Sequence, residues 1–200
     1  MNVMSSQKRR YELKARAESQ RRTRARIVAA AAELHEEVGV ARTTVADIAR
    51  RAGVQRLTVY NHFADLSELL PACSAHYRSE HPQPSFEDAL ALEDPAARVR
   101  AALRGLYRWY RETESLMRNV HGERGAVPEL DAWMSQTADR QLAERALALA
   151  RGFHGKGSRA TRLRAVIALA LDFWTWRRLA REGFDDEAAA EVMTGLITSV

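Results

Sequence analysis

Residues 44–63 read TVADIARRAGVQRLTVYNHF, and this stretch decides the architecture. Thr44 followed by Asp47 forms a capping-box pair, with Asp in the place more often held by Glu. Val45, Ile48, Ala49 and Ala52 then recur at helical spacing and make one apolar stripe. Gly53 ends that short helix and permits a tight turn. A second short helix, about Gln55–Asn61, leaves Gln55, Arg56, Thr58, Asn61 and His62 facing outward. Two short helices joined through a Gly-containing turn are a helix-turn-helix. The outward face is too polar for a core and too rich in donors for an ordinary surface. Set in a major groove, Gln, Arg and Asn can read base edges, while Thr, Tyr and His can donate to phosphates. The bland alternative is a plain helical hairpin.

The flanks extend the pattern. Ile27, Ala30, Ala31, Leu34 and Val38 repeat at helical spacing over about Thr23–Val38, and Gly39 is a natural stop. Asp65 and Glu68 cap a further helix that carries Leu66, Leu69, Leu70 and Cys73 towards Tyr77. Pro71, in its second turn, removes an N–H and predicts a kink. Charge is unevenly placed: residues 1–80 hold 14 Lys/Arg against 9 Asp/Glu, whereas residues 81–200 hold 17 of each. All of the net charge of +5 therefore lies in the first two-fifths. Such a step in charge points to a polyanion-binding half. Residues 1–20 read as a basic arm, partly helical at most.

Beyond the arm the expected division is a helix-turn-helix domain over 23–78 and a helical domain over 79–200, with residues 1–22 as the arm. Ser79–Pro95, with its three prolines, reads as the linker. Long amphipathic helices follow at about Ala96–Val120, Glu129–Arg151 (with a break near Ser135–Thr137), Ser158–Arg181, and Asp185 to near the end. Strand signals are almost absent, so the fold class is all-α. The longest apolar run, Ala165–Leu171, is far below the ~20 residues of a membrane span. The polar, basic start does not read as a secretory signal, and the lone Cys73 suits a reducing cytoplasm.

The strings Thr43–Val54 and Thr58–Phe63, followed by Asp65 and Leu69-Leu70, resemble the TetR family of bacterial regulators over roughly residues 23–75. The resemblance implies base contacts from Gln55, Arg56 and Asn61, and phosphate contacts from Thr44, Thr58, Tyr60 and His62. Three positions depart from the family pattern. Ala46 stands where many members carry a base-reading Arg, Leu66 where a Lys grips a phosphate, and Leu57 where a small residue or Pro is usual. The basic arm, with Lys8, Arg9, Arg10, Lys14, Arg16, Arg21 and Arg22, is then expected to supply the missing phosphate neutralisation. Asp172-Phe173, Trp176–Leu179, Gly183 and Asp185–Ala189 are similar to the family's last two helices.

The resemblance also implies a C-terminal domain that binds a small-molecule effector and dimerises. Effector-pocket candidates among its aromatic and Met residues are Trp109, Tyr110, Met117, Trp133, Met134, Phe173 and Trp176, although side chains at such spacing are commonly core. Asp172 could pair with a cationic ligand or with an Arg across a dimer interface. The last two helices have apolar surface beyond their own core, which a homodimer would cover, and two-fold proteins read palindromic duplex DNA. The implied protein is a cytoplasmic homodimeric repressor that leaves its operator when a ligand binds. The alternatives are a DNA-binding regulator without an effector, or a metal or redox sensor centred on Cys73 and His76, with His81 near.

Enzymatic chemistry is poorly supported. Gly152–Ser158 lacks the spacing and strand of a phosphate loop, and His35-Glu36 lacks the second His of a zinc-protease helix. No nucleophile–base pair is legible, and no cofactor or resident metal is expected.

Overall fold

The computed structural model describes residues 3–153 and 157–200, and among these every regular element is a helix. The chain divides into two compact units, residues 1–80 and 81–200, so the boundary falls two residues beyond the expected 78. The first unit contains α1 (Val3–Glu37), α2 (Val45–Ala52), α3 (Arg56–His62) and α4 (Leu66–Glu80).

The expected basic arm is instead the first half of α1, which runs unbroken for 35 residues. No Gly or Pro occurs before Gly39, and Ala, Arg, Lys, Glu and Gln dominate the run. All are good helix formers, and a helix already nucleated in the core propagates at little cost. Residues 10–22 are exposed, and burial begins at Ile27. Gly39, at φ +92°, ends the helix where the sequence places its stop.

The core of this unit joins Ile27, Ala31 and Leu34 of α1 to Ile48, Ala49 and Ala52 of α2, with Val59, Phe63, Leu69 and Cys73 closing it. The Thr44 side chain accepts from the Asp47 N–H at 3.1 Å, so the expected cap is made. Gly53 adopts φ 64° and ψ 42°, and its N–H reaches the carbonyls of Ala49 and Arg50. Asp65 accepts from the Glu68 N–H at 3.2 Å, while the Ala64 N–H donates to Glu68 at 2.9 Å, completing a reciprocal cap on α4. α4 continues through Pro71, which lies on its exposed side, as does Ser67, whose carbonyl loses its partner. Water can satisfy it there.

The second unit contains α5 (Glu87–Leu90), α6 (Pro95–Glu112), α7 (Glu114–Gly122), α8 (Pro128–Gln136), α9 (Ala138–Leu149), α10 (Ser158–Leu171), α11 (Phe173–Arg181) and α12 (Asp186–Thr198). The stretch expected to be a linker carries α5, and buries Phe86 and Ala89 in the core. Two expected helices are also divided. Thr113 separates α6 from α7, its hydroxyl bonded to the Trp109 carbonyl at 2.7 Å. Asp172 separates α10 from α11 with extended backbone, and its carboxylate accepts the N–H groups of Trp174 and Thr175 at 2.8 and 3.1 Å. The break near Ser135–Thr137 is present at Thr137, whose hydroxyl bonds the Trp133 carbonyl at 2.7 Å.

Ending α10 inside the protein leaves backbone carbonyls that must be satisfied. Two buried tyrosines of α6 do so: Tyr107 donates to Ala170 and Tyr110 to Leu171, each at 2.8 Å. α12 packs along α6, where Arg111 grips Asp186 at 2.9–3.0 Å and Arg104 meets Glu187 at 2.6 Å.

His35 is the notable polar group of the first core, 3% exposed, and burial lowers its imidazole from the ordinary 6.5 to about 4. The unfolded chain therefore takes up a proton between those values that the folded one refuses. The stability that depends on a neutral His35 is complete above pH 6.5 and is lost as pH falls through about 4. The loss amounts to about 3 kcal/mol at most. Thermal melts of wild type and His35→Leu across that range check this: the variant's melting temperature should fall less with acid. Parallel curves would exclude His35 as a source of acid sensitivity.

Candidate nucleic-acid interface

The orientation of α3 follows from its two apolar anchors. Val59 and Phe63 are buried at 2% and 3% exposure, so the opposite side of the helix must face out. That outward side carries Gln55, Arg56, Leu57, Tyr60 and Asn61, all exposed, with Thr58 and His62 half-buried at its margins. Gln55 stands at the N-cap but makes no side-chain cap bond, which leaves its amide available. Arg56 has no ion pair among the described residues. The face thus presents amide, guanidinium, phenol and imidazole groups on a single short helix.

Thr44 is exposed and stands beside this surface in sequence, but its hydroxyl is already engaged. It donates to the Asp47 carboxylate at 2.5 Å, besides accepting from the Asp47 N–H. The Thr44 hydroxyl and the nearby Arg50 guanidinium hold the Asp47 carboxyl below its usual range. A phosphate seeking the Thr44 hydroxyl must therefore compete with Asp47 for its proton.

Arg24 was not singled out by the sequence. Its guanidinium lies 4.5 Å from the centre of the Phe63 ring, and Phe63 directly follows the last residue of α3. The only sequence signal was its place in the basic run. The contact fixes where the helical extension leaves the core: at the end of the reading helix. Arg21 and Arg22 lie one turn before it and are exposed, as are Arg10, Lys14 and Arg16. The side chains of Lys8 and Arg9 lie outside the described residues.

The candidate effector residues sit differently. Trp109, Tyr110, Phe173 and Trp176 are at most 6% exposed, and their rings pack together with centroids 5.4–5.8 Å apart. Their polar atoms are in use: the Trp109 indole donates to the His81 carbonyl at 3.1 Å, and the Trp176 indole to Asp186 at 3.2 Å. Met134 is buried on α8, whereas Met117 and Trp133 are half-buried. His121, which the sequence reading passed over, stacks on Phe173 with centroids 5.2 Å apart, and burial lowers its pKa.

Cys73 belongs to the core. It is 5% exposed, its sulfur lies 3.8 Å from the Val28 carbonyl, and burial pushes its thiol up to about 12. That is opposite to the shift that makes a thiol reactive. His76 faces Glu80 at 3.6 Å. No group of three or more metal-ligating side chains occurs among the described residues. Within the Gly152–Ser158 stretch, residues 154–156 lie outside them.

Two short helices set by a glycine turn, with a donor-rich outward helix and a basic flank, make a helix-turn-helix. Residues 27–73 match the model of bacterial regulatory proteins of the tetR family. The HTH-type transcriptional regulator TtgR of Pseudomonas putida is 46% identical over 66 residues, which cover 32% of this chain and 31% of that protein. The similarity to this relative thus spans about a third of its length. Whole-chain likeness is to solved folds. NalD, titled the secondary repressor of the MexAB-OprM multidrug efflux pump of Pseudomonas aeruginosa, has a TM-score of 0.59 and 24% identity. The alignment covers 90% of this chain and 96% of NalD. A TetR-like transcriptional regulator from Rhodococcus sp. RHA1 has a TM-score of 0.60 at 18% identity, with coverage of 88% and 93%.

If Arg56 makes a bidentate base contact, Arg56→Ala should cost on the order of 1–3 kcal/mol on the preferred duplex and relax base choice at one position. Tyr60→Phe should weaken all duplexes alike. Titrations of both variants on preferred and random DNA separate these outcomes. Equal losses for Arg56→Ala on both duplexes would remove its base-reading role.

Proposed function

We propose that this protein is a sequence-specific, homodimeric transcriptional repressor that a small molecule releases from its operator. The observation that carries the proposal is the outward face of α3. Five exposed residues there include two amides and an unpaired guanidinium, held rigid by Val59 and Phe63 in the core. The basic half of α1 supplies phosphate affinity, which makes up for the neutral Ala46 and Leu66.

The second unit supports self-association. Ala165, Ala168 and Leu169 form an exposed apolar stripe on α10, while Val192 and Leu196 are exposed on α12, which packs against it. Gly195 lies between them in a helix interior, where Gly costs about 1 kcal/mol relative to Ala. Beyond its own helix backbone no atom lies within 4 Å of where its Cβ would be, so packing within the protomer does not require a glycine there. Close approach of a second copy of the helix accounts for it.

A regulator without a ligand is the second reading, favoured by the closed packing of Trp109, Tyr110, Phe173 and Trp176. An effector would then have to use half-buried side chains such as Met117, Trp133 or His121. No helix among the described residues is long and apolar enough to cross a membrane.

Incubating the purified protein with genomic fragments tests the reading. A small, reproducible set should be retained and then released by one member of a panel of organic ligands. Retention without release by any compound would favour the second reading, and retention of all fragments alike would overturn the first. Leu196→Asp should yield a folded monomer by sedimentation, because the side chain is already 51% exposed in the protomer. An unchanged dimer would move the interface elsewhere. Deleting residues 1–18 should flatten the log–log salt dependence of binding, by about 0.9 for each phosphate no longer neutralised, without changing base preference. Parallel slopes would show that the helical extension takes no part.

A further inference from the structure

Among the groups on the outward face of α3, one does not suit water or phosphate. Leu57, the second residue of the helix, is 65% exposed. It lies between Arg56 and Thr58 and one turn from Tyr60 and Asn61, inside the donor-rich face rather than at its edge. Nothing in the first unit covers it, and the core beneath is already closed by Val59 and Phe63. Leucine is a good helix former, but so are Lys, Gln and Glu, which would serve as well on a solvated surface.

A major groove offers one apolar feature, the C5-methyl group of thymine, or of a methylated cytosine. The other groove-facing atoms of the bases are hydrogen-bond donors and acceptors, which an isobutyl group cannot satisfy. Resting on the proposed role of α3 in reading DNA, we infer that Leu57 is a specificity-determining residue that packs against a pyrimidine C5-methyl in each half-site. It discriminates by contact with the methyl and by desolvating the neighbouring bonds of Arg56 and Asn61. Cytosine, which lacks the methyl, is rejected at that position because it leaves the leucine against a polar edge. The chemistry commits the site to thymine, the ordinary source of the group.

The test uses the full-length protein and one duplex recovered by retention on it. Each thymine is replaced in turn by deoxyuridine, which removes only the methyl. One position per half-site should lose affinity about fourfold, corresponding to about 0.8 kcal/mol for one buried carbon group. Leu57→Ala should bind the thymine duplex as weakly as wild type binds the uracil duplex, and should be indifferent to the replacement. Its melting temperature should match wild type, since Leu57 contributes nothing to the core. In a parallel scan, 5-methylcytosine replaces each cytosine. A gain that depends on Leu57, in place of a thymine effect, would assign the contact to methylated cytosine and overturn the thymine assignment. A uracil penalty that persists in Leu57→Ala would give the methyl to another side chain. Equal weakening of Leu57→Ala on all duplexes would make Leu57 a backbone contact. If wild type itself shows no preference among duplexes, the reading role of α3 fails, and that outcome is distinct from the others.

Discussion

The left-handed turn at Gly53 is the constraint on which the reading head depends. At φ 64° and ψ 42° the chain leaves α2, closes two bonds to its last carbonyls and re-enters a helix three residues later. A residue with a Cβ pays about 1–2 kcal/mol in that conformation. The turn fixes the direction of α3, and Val59 and Phe63 fix its rotation. Which side chains face outward follows from these two conditions alone. The outward face is therefore rigid before any partner arrives, and ordering it on binding costs little.

The second unit is governed by a different obligation. Several of its helix ends, at Thr113, Leu171 and Phe173, lie inside the protein, and every buried carbonyl there needs a donor. Tyr107 and Tyr110 close the end of α10, Asp172 opens α11, and Thr113 and Thr137 turn the chain with hydroxyls bonded to carbonyls of the preceding turn. Several residues that look chemically interesting in sequence are consumed by this task. Asp172 is one: its Oδ1 accepts from two N–H groups of α11. Tyr110 and Trp109 are others, their polar atoms bonded to the carbonyls of Leu171 and His81.

The two units differ in how much of them could be read beforehand. In the first, caps, stripe and glycine turn lie within twenty residues of one another, so local physics decides the outcome. The positions of α2, α3 and α4 and the outward side of α3 were legible for that reason. The helical extension of α1 was not, because a basic run without apolar spacing fits an irregular arm and a solvated helix equally well. In the second unit, Thr113 and Asp172 fall within amphipathic runs that continue on both sides, and nothing local marks them as breaks. What decides the end of α10 is a pair of tyrosines more than sixty residues earlier in the chain. The buried Phe86 and Ala89 were hidden in the same way, by three prolines that resemble a linker until a core is present to receive α5.

The account rests on a rigid α3 that reads bases from a two-fold symmetric protein. Selection of binding sites from a randomised duplex library measures this directly. The account predicts one enriched motif with two inverted half-sites, their centres about one turn of duplex, or a multiple of it, apart. A library that stays unenriched, or a motif with no inverted symmetry, would contradict it.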